Sequence, residues 1–89
     1  MPRVLFTPQL KRFLDAPEVL TDASTLRAAL DASFAGNPRL AGYVLDEQGH
    51  LRANVVVYID GRASRDRRSL SDALRPASSV YVLQALSGG

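Results

Sequence analysis

The 89-residue sequence contains no cysteine and no tryptophan, and it has one methionine and one histidine. The absence of cysteine excludes disulfides, thiolate metal sites, a cysteine nucleophile and a persulfide carried on a side chain. His50 has no second histidine or cysteine to complete a metal site, so we interpret it as a surface residue. The sequence therefore shows no metal site and no catalytic centre of its own.

Long hydrophobic runs are also absent. The longest, Val55–Ile59, is far shorter than the roughly 20 apolar residues of a membrane-spanning helix, and the first residues form no apolar signal segment. No spacing of the six glycines is typical of a phosphate-binding loop. A chain of this length, 46% hydrophobic, fits one domain. We expect a cytoplasmic protein that binds no membrane.

Charges of the two signs are nearly balanced. Ten arginines and Lys11 accompany nine acidic residues, for a formal net charge of +2. Acidic residues lie among the basic ones along most of the chain, so no nucleic-acid partner is expected. Residues 62–68, R-A-S-R-D-R-R, form the one locally basic segment. We interpret it as a solvated loop, with a contact for an acidic protein and a contact for nucleic acid as alternatives.

The hydrophobic pattern near the N-terminus predicts a hairpin. Residues 3–7 are a short β-type run that Pro8 ends, and residues 18–21 would form the strand that pairs with it. Between them, residues 9–14 fit one helical turn or a wide loop. The sequence therefore predicts that the first strand of the sheet begins almost at residue 1.

One long helix is predicted from residue 21 onward. Leu26, Leu30 and Phe34 recur every four residues and form one apolar stripe. Asp22 or Ser24 would cap its first amides, and the segment at residues 36–38, G-N-P, would end it with the glycine in a left-handed conformation. This is the main helix of the predicted domain.

Two strands with apolar residues on both faces are predicted in the second half. They are residues 54–59, which the turn signal Asp60-Gly61 follows, and residues 80–83. Residues 40–45 fit either a short helical turn or a strand, and residues 46–49 predict a turn. The apolar character of both faces predicts interior positions in the sheet.

One sheet packed on one helix accommodates this order of elements. We expect an α+β fold of the kind called a β-grasp, in which a mixed sheet of four to five strands packs on one main helix. Residues 1–83 would form this domain. Residues 84–89 would form a flexible C-terminal tail that ends in Gly88 and Gly89.

The Gly-Gly end has a possible chemical use. A tail without side chains can enter a narrow channel in another protein and present the carboxylate of Gly89 to a reactive centre. That carboxylate becomes reactive when AMP is transferred to it from ATP, because the mixed anhydride yields to sulfide, a persulfide or an amine. An incidental terminus is the alternative interpretation.

The segment V-Y-V-L-Q-A-L-S-G-G, residues 80–89, resembles the C-terminus of the ThiS/MoaD-type ubiquitin-like sulfur carriers. R-V-L-F at residues 3–6 looks like the first strand of the molybdopterin synthase small subunit, and T-L-R-A-A-L at residues 25–30 looks like the family helix. G-H-L-R-A-N-V-V-V-Y-I-D-G at residues 49–61 is similar to the subgroup that contains the cysteine-biosynthesis carriers and the small archaeal modifiers. The resemblance covers essentially the whole chain.

The resemblance implies a protein cosubstrate, not an enzyme. An adenylating enzyme of the ubiquitin-activating class would use ATP and Mg²⁺ to adenylate Gly89, and sulfur transfer would leave a thiocarboxylate for a sulfur-accepting synthase. The chain itself would bind no cofactor. Gly88 would thread the partner's site with Gly89, while Ser87 and Leu86 would lie at the entrance of that site.

The resemblance also implies a docking surface and leaves the pathway open. Leu83 matches a hydrophobic position that the family uses to meet its activating enzyme, and Phe6 lies on the strand expected beside it, although both residues also suit a core. Thiamine, molybdopterin, cysteine, methionine and specialised-metabolite pathways all fit. A ubiquitin-like modifier joined to target lysines through Gly89, and a binding module with an incidental tail, are the alternative functions.

The sequence departs from the family pattern just before its last predicted strand. The family usually places an acidic turn there, whereas residues 75–79 read R-P-A-S-S. Pro76 can set such a turn, so the fold should tolerate the change. The acidic side chain that a carrier would present to a basic partner is missing there, which leaves the identity of the partner open.

Overall fold

The computed structural model describes residues 1–6 and 18–84. In these residues a single sheet is built from short strands, and two helices lie between its second and third strands in chain order. In chain order the elements are β1 (Arg3–Phe6), β2 (Glu18–Leu20), α1 (Leu26–Ala35), α2 (Pro38–Val44), β3 (Val55–Ile59), β4 (Arg62–Ala63) and β5 (Ser79–Gln84).

The sheet is mixed, with β5 at its centre and strand order β2-β1-β5-β3-β4. β1 pairs with β2 as the predicted antiparallel hairpin and with β5 in parallel, and β5 pairs with β3 in antiparallel register. The parallel pair requires a crossover connection, which includes both helices. This arrangement confirms the predicted α+β, β-grasp fold. The interior positions predicted for β3 and β5 are also confirmed, and residues 9–14, for which one helical turn and a wide loop were both open, lie outside the described residues.

The main helix begins at Leu26 with Thr25 as its cap, one residue after Ser24 and three residues after Asp22, the two predicted caps. The Oγ1 atom of Thr25 accepts a hydrogen bond from the backbone N–H of Ala28, 3.2 Å away, so the prediction of Asp22 or Ser24 as the cap was wrong. The backbone N–H of Leu26 donates to the carbonyl of Asp72, 2.9 Å away. The start of α1 is thus fixed by a long-range contact with the loop before β5, which local sequence does not reveal.

The predicted left-handed glycine at the end of α1 was also wrong. Gly36 has φ −84° and ψ −13°, a right-handed conformation. Pro38 begins α2 soon afterwards, so only Gly36 and Asn37 lie between the two helices. Residues 40–45, for which helix and strand were both open, belong mainly to α2, and its Leu40 and Val44 are fully buried.

The core lies between the helices and one face of the sheet. Every second residue of the central strands faces it, so Val80 and Val82 of β5 and Val57 of β3 have no exposed surface. Side chains of α1 cover these positions at the spacing predicted for its apolar stripe. The largest fully enclosed side chains are Phe6, Leu26, Leu30, Leu40, Leu70, Val4, Val44, Val55, Val57, Val80 and Val82.

Arginine side chains hold the long loops against this core by hydrogen bonds to backbone carbonyls. The guanidinium of Arg67 donates to the carbonyls of Arg52 and Val55, each 2.6 Å away. Arg27 on α1 donates to the carbonyl of Gly49 at 2.8 Å. Residues 62–68 are therefore only partly the solvated loop that we predicted, because they also contain β4 and a structural arginine.

The same segment contains a carboxylate with several donors around it. Asp66 accepts a hydrogen bond from the hydroxyl of Ser71 at 2.6 Å and from the backbone N–H of Ser69 at 2.9 Å. These hydrogen bonds, that of the Ser71 hydroxyl above all, lower the pKa of Asp66 to about 2.

Among the described residues, neither helix has the length and apolar character that a membrane span requires.

Candidate functional site

The face of the sheet opposite the helices carries two tyrosines at its centre. Tyr58 of β3 and Tyr81 of β5 are directly paired in the antiparallel register. They are 40% and 49% exposed, although Val57, Val80 and Val82 beside them in the two strands face the core and are fully buried. Two aromatic side chains are thus held side by side toward solvent by strands that the core fixes.

Aliphatic side chains extend this pair into a continuous surface. Leu83 and Val56 are paired next to the tyrosines, and Leu5 of β1 pairs with Tyr81 from the other side. All three are half-buried. We call this surface the outer face, and it consists of Leu5, Val56, Tyr58, Tyr81 and Leu83.

An open depression runs across the outer face toward the β3–β4 turn. The tyrosine pair and Leu83 line it, together with the turn residues Asp60 and Gly61. Neither helix covers this side of the sheet, because both pack on its other side. Contiguous exposed apolar surface on a small domain is typical of a protein-interaction site.

The two residues predicted to contact a partner lie on opposite faces of the sheet. Leu83 belongs to the outer face and lines its depression. Phe6 does lie on the strand beside β5, but its side chain is 2% exposed and packs in the core. Phe6 therefore has the core role that its sequence also suited, and it offers no docking surface.

The predicted reactive tail follows the central strand. β5 continues through Gln84, which pairs with Val55, so Gln84 lies in the sheet and not in the tail to which we assigned it. Leu86, Ser87, Gly88 and Gly89 lie outside the described residues.

An acidic side chain lies beside the turn at residues 75–79, although this turn itself contains no acidic residue. The carboxylate of Asp60, in the β3–β4 turn, accepts from the hydroxyl of Ser78 and from the backbone N–H of Ser79, both at 2.9 Å. The Ser79 N–H and then the Ser78 hydroxyl lower the pKa of Asp60. The acidic side chain missing from residues 75–79 is thus replaced in space by one from a turn 18 residues away from Ser78.

The tyrosines of the outer face were missed in the sequence analysis. Their strands were recognised as apolar on both faces, and this was interpreted only as a sign of interior position. A strand can be interior in a sheet and still leave one face to a partner, because strand order and face coverage are separate properties. The aromatic residue at the outward position of each strand was the signal that could have identified them.

His50 and the acidic residues form no metal-binding cluster in residues 1–6 and 18–84. No group of three or more His, Asp or Glu side chains there could hold a metal ion. His50 donates its backbone N–H to the carboxylate of Asp46, 3.0 Å away, and this hydrogen bond is the main cause that lowers the pKa of Asp46. The loop at residues 46–49 is thus a hydrogen-bonded turn, as predicted.

Comparison with known proteins agrees with this geometry. The model of the ThiS family matches residues 4–89 of the chain. No curated protein matches it in sequence. Several solved structures share its fold at low sequence identity, among them the following three. SAMP1 from Haloferax volcanii has a TM-score of 0.84 at 23% identity, with 99% of this chain and 98% of that chain covered. The matching chain of the Amycolatopsis orientalis BexX/CysO complex has a TM-score of 0.85 at 16% identity, with 100% of both chains covered. CysO from Mycobacterium tuberculosis has a TM-score of 0.83 at 21% identity, with 97% of this chain and 100% of that chain covered.

Proposed function

The chain belongs to the ThiS family of ubiquitin-like sulfur carriers, and from this premise we propose that it carries sulfur as a thiocarboxylate on Gly89. The single observation that supports this most directly is the position of the Gly-Gly end. It follows β5, the central strand, and the side chains that β5 directs outward form the middle of the exposed outer face. A partner that covers this face would therefore also be near the start of the tail.

The proposed chemistry has two steps on the terminal carboxylate. A carboxylate oxygen of Gly89 attacks the α-phosphorus of ATP, pyrophosphate leaves, and an acyl-adenylate forms. Hydrosulfide then attacks the carbonyl carbon, AMP leaves, and one proton is released as the thiocarboxylate forms. If a persulfide attacks instead, the product is an acyl disulfide, which a thiol must reduce to release the thiocarboxylate. Mg²⁺ would accompany the ATP on the partner enzyme.

The outer face is proposed to dock the adenylating enzyme. Tyrosine is enriched among the residues that contribute most to protein interfaces, because its large side chain is rigid and partly polar. Tyr58 and Tyr81 already have fixed positions, so docking would cost little conformational entropy. Leu83 lies between this pair and the tail. The similar chain in the BexX/CysO structure was crystallised as a complex, which supports a protein partner here as well.

The protein would act as a cosubstrate. Its chemistry would reside on a carboxylate that a partner must activate. A sulfur-accepting synthase would consume the thiocarboxylate in the biosynthesis of a cofactor, an amino acid or a specialised metabolite. This cycle would take place in the cytoplasm, where ATP and the activating enzyme are available.

Exchange of radiolabelled pyrophosphate into ATP tests the proposed activation step. The protein is incubated with the adenylating enzyme of its own host, ATP and Mg²⁺, and the exchange rate is compared with that of a variant lacking Gly88 and Gly89. Exchange that depends on the two glycines supports the proposal. Equal exchange with both proteins would overturn it, and thermal unfolding of the truncated variant shows whether its domain is intact.

Conjugation to proteins is the second candidate function. Two similar solved structures are described as small archaeal modifier protein 1, which favours this alternative specifically. The activation step would be the same, but an amine of a target lysine would displace AMP and form an isopeptide bond. Lys11 is the one lysine in this chain, so side-chain conjugation of one copy to another would require it. Conjugates of higher mass that depend on Gly89 would identify this function.

A further inference from the structure

A polar cavity of about 190 Å³ lies at the end of β5 that is remote from the tail. It is formed where the β3–β4 turn meets the segments before β5. We call it the arginine cavity, and its polar lining residues are Asp60, Arg62, Arg65, Asp72, Arg75 and Ser78.

The carboxylates of the arginine cavity already have hydrogen-bond donors within the chain. Asp60 accepts from Ser78 and Ser79, as described above. Asp72 accepts from the backbone N–H groups of Arg65 and Asp66, at 3.0 and 3.1 Å. Both carboxylates are therefore used to hold the loops that shape the cavity.

The arginine side chains of the cavity are not paired in this way. Arg62, Arg65 and Arg75 are exposed, and within the described ranges none of their guanidinium nitrogens lies within 4.0 Å of a carboxylate oxygen. Three guanidinium groups thus surround a cavity that contains two carboxylates, so positive charge is in excess. This contrasts with Arg27 and Arg67, whose guanidinium groups bind backbone carbonyls.

The size and exposure of the cavity limit what it can bind. Its volume is below the roughly 300 Å³ at which pockets begin to enclose nucleotide-sized ligands, but it accommodates a carboxylate side chain. A free small anion would gain little from exposed arginines, because water and salt screen such pairs. The same charges at the rim of a protein interface steer association and select the partner.

The cavity borders the outer face. Asp60 lines both the arginine cavity and the depression beside the tyrosines. An interface that covered the outer face would therefore have the arginine cavity at its polar rim, where charged residues are usual. The six residues of β5 span about 17–20 Å, so the cavity and the tail would contact different parts of one partner.

We propose that the arginine cavity receives an acidic segment of the protein partner that docks on the outer face. The identity of that partner rests on the proposed function, but binding of an acidic segment does not. Carboxylates of the segment would pair with Arg62, Arg65 and Arg75 while the tyrosines supply the apolar contact.

Titration with a hexaglutamate peptide, followed by ¹H–¹⁵N NMR spectra of the full chain at low salt, tests the proposal. We expect the largest shifts at the amide and guanidinium signals of Arg62, Arg65 and Arg75, and weaker binding as NaCl is added. A hexaglutamine peptide controls for contact without charge. Inorganic phosphate distinguishes a small-anion site, and phosphate binding at the cavity as tightly as hexaglutamate would overturn the proposal.

Two double variants with the same change in net charge make the test specific. Arg62→Gln with Arg65→Gln should weaken hexaglutamate binding about fivefold, whereas the control Arg39→Gln with Arg68→Gln should change it less than about twofold. Equal losses for the two variants, or shifts spread over the whole surface, would overturn the proposal. Neither result would affect the pyrophosphate-exchange test, so failure here remains distinct from failure of the proposed function.

Discussion

Tyr58 and Tyr81 face each other across β3 and β5, on the side of the sheet opposite both described helices. Val57, Val80 and Val82, which flank them in the two strands, have fully buried side chains on the opposite face, so the two rings cannot move inward without a change in strand register. Because of this pairing, the exposed tyrosines belong to a surface whose shape is already formed before a partner binds. It also connects that surface directly to β5, the strand that precedes the Gly-Gly end.

Replacement of Tyr81 by serine should impair docking without unfolding the domain. A central tyrosine in an interface contributes about 2 kcal/mol, so we expect KM for the protein in pyrophosphate exchange to rise roughly 30-fold with little change in kcat. Tyr43→Ser is a matched control, because Tyr43 is 41% exposed but lies on α2. Equal KM values for both variants and the unaltered protein would show that the outer face is not the docking surface.

Phe6 should behave as a core residue. Phe6→Ala removes a ring that is 2% exposed, and we expect the free energy of unfolding to fall by about 3–5 kcal/mol, as measured by urea denaturation. Phe6→Leu keeps most of the apolar volume and should retain a folded protein with unchanged KM in pyrophosphate exchange. A stable Phe6→Leu variant with a strongly raised KM would instead support the contact role that was first expected of Phe6.

Arg67 should be important for stability although its segment is highly charged. Arg67→Met removes the hydrogen bonds to two backbone carbonyls, and we expect a loss of about 1–3 kcal/mol in urea unfolding. Arg68→Met removes the same charge from an exposed neighbour and should cost less than about 0.5 kcal/mol. Similar losses for the two variants would mean that net charge, not the Arg67 hydrogen bonds, determines the effect.

Stability should depend on pH through Asp66. Its pKa is lowered from 3.8 to about 2 by the Ser71 hydroxyl and the Ser69 N–H, so its hydrogen bonds favour the ionised form. A group with a lower pKa in the folded state contributes stability above pH of about 4 and loses it as the pH falls toward 2. Asp66→Asn should therefore lower the urea midpoint at pH 7, and this difference should close between pH 4 and pH 2.

The urea midpoints of the two proteins are measured across that pH range. A difference that stays constant from pH 7 to pH 2 would contradict the role given to ionised Asp66. Asp31→Asn, at an exposed position on α1, removes the same charge and should lower the midpoint at pH 7 by less than Asp66→Asn does.

Local signals in the sequence predicted the local elements. The Asp60-Gly61 pair predicted a tight hairpin turn, and both residues have the positive φ angles, 51° and 86°, that such a turn requires. The spacing of Leu26, Leu30 and Phe34 predicted α1 because a helix repeats every 3.6 residues. Periodicity and turn chemistry depend on neighbours in sequence, so one sequence is enough to reveal them.

The remaining features depend on contacts between distant residues. The N–H of Leu26 is bound by the carbonyl of Asp72, and Asp60 supplies the acid that the turn before β5 lacks. Prediction of the outer face also requires the strand order, because this surface contains residues from β1, β3 and β5. No local pattern could distinguish Arg67, which binds backbone carbonyls, from the exposed Arg68 beside it.

The intact mass of the protein purified from its native host tests the thiocarboxylate on Gly89 most directly. The account predicts a fraction heavier by the exchange of one oxygen for sulfur, absent when Gly89 is deleted. This fraction should react with an alkylating agent although the sequence has no cysteine. If only the unmodified mass is found under sulfur-limiting and sulfur-replete growth, with the adenylating enzyme present, the sulfur-carrier account is contradicted.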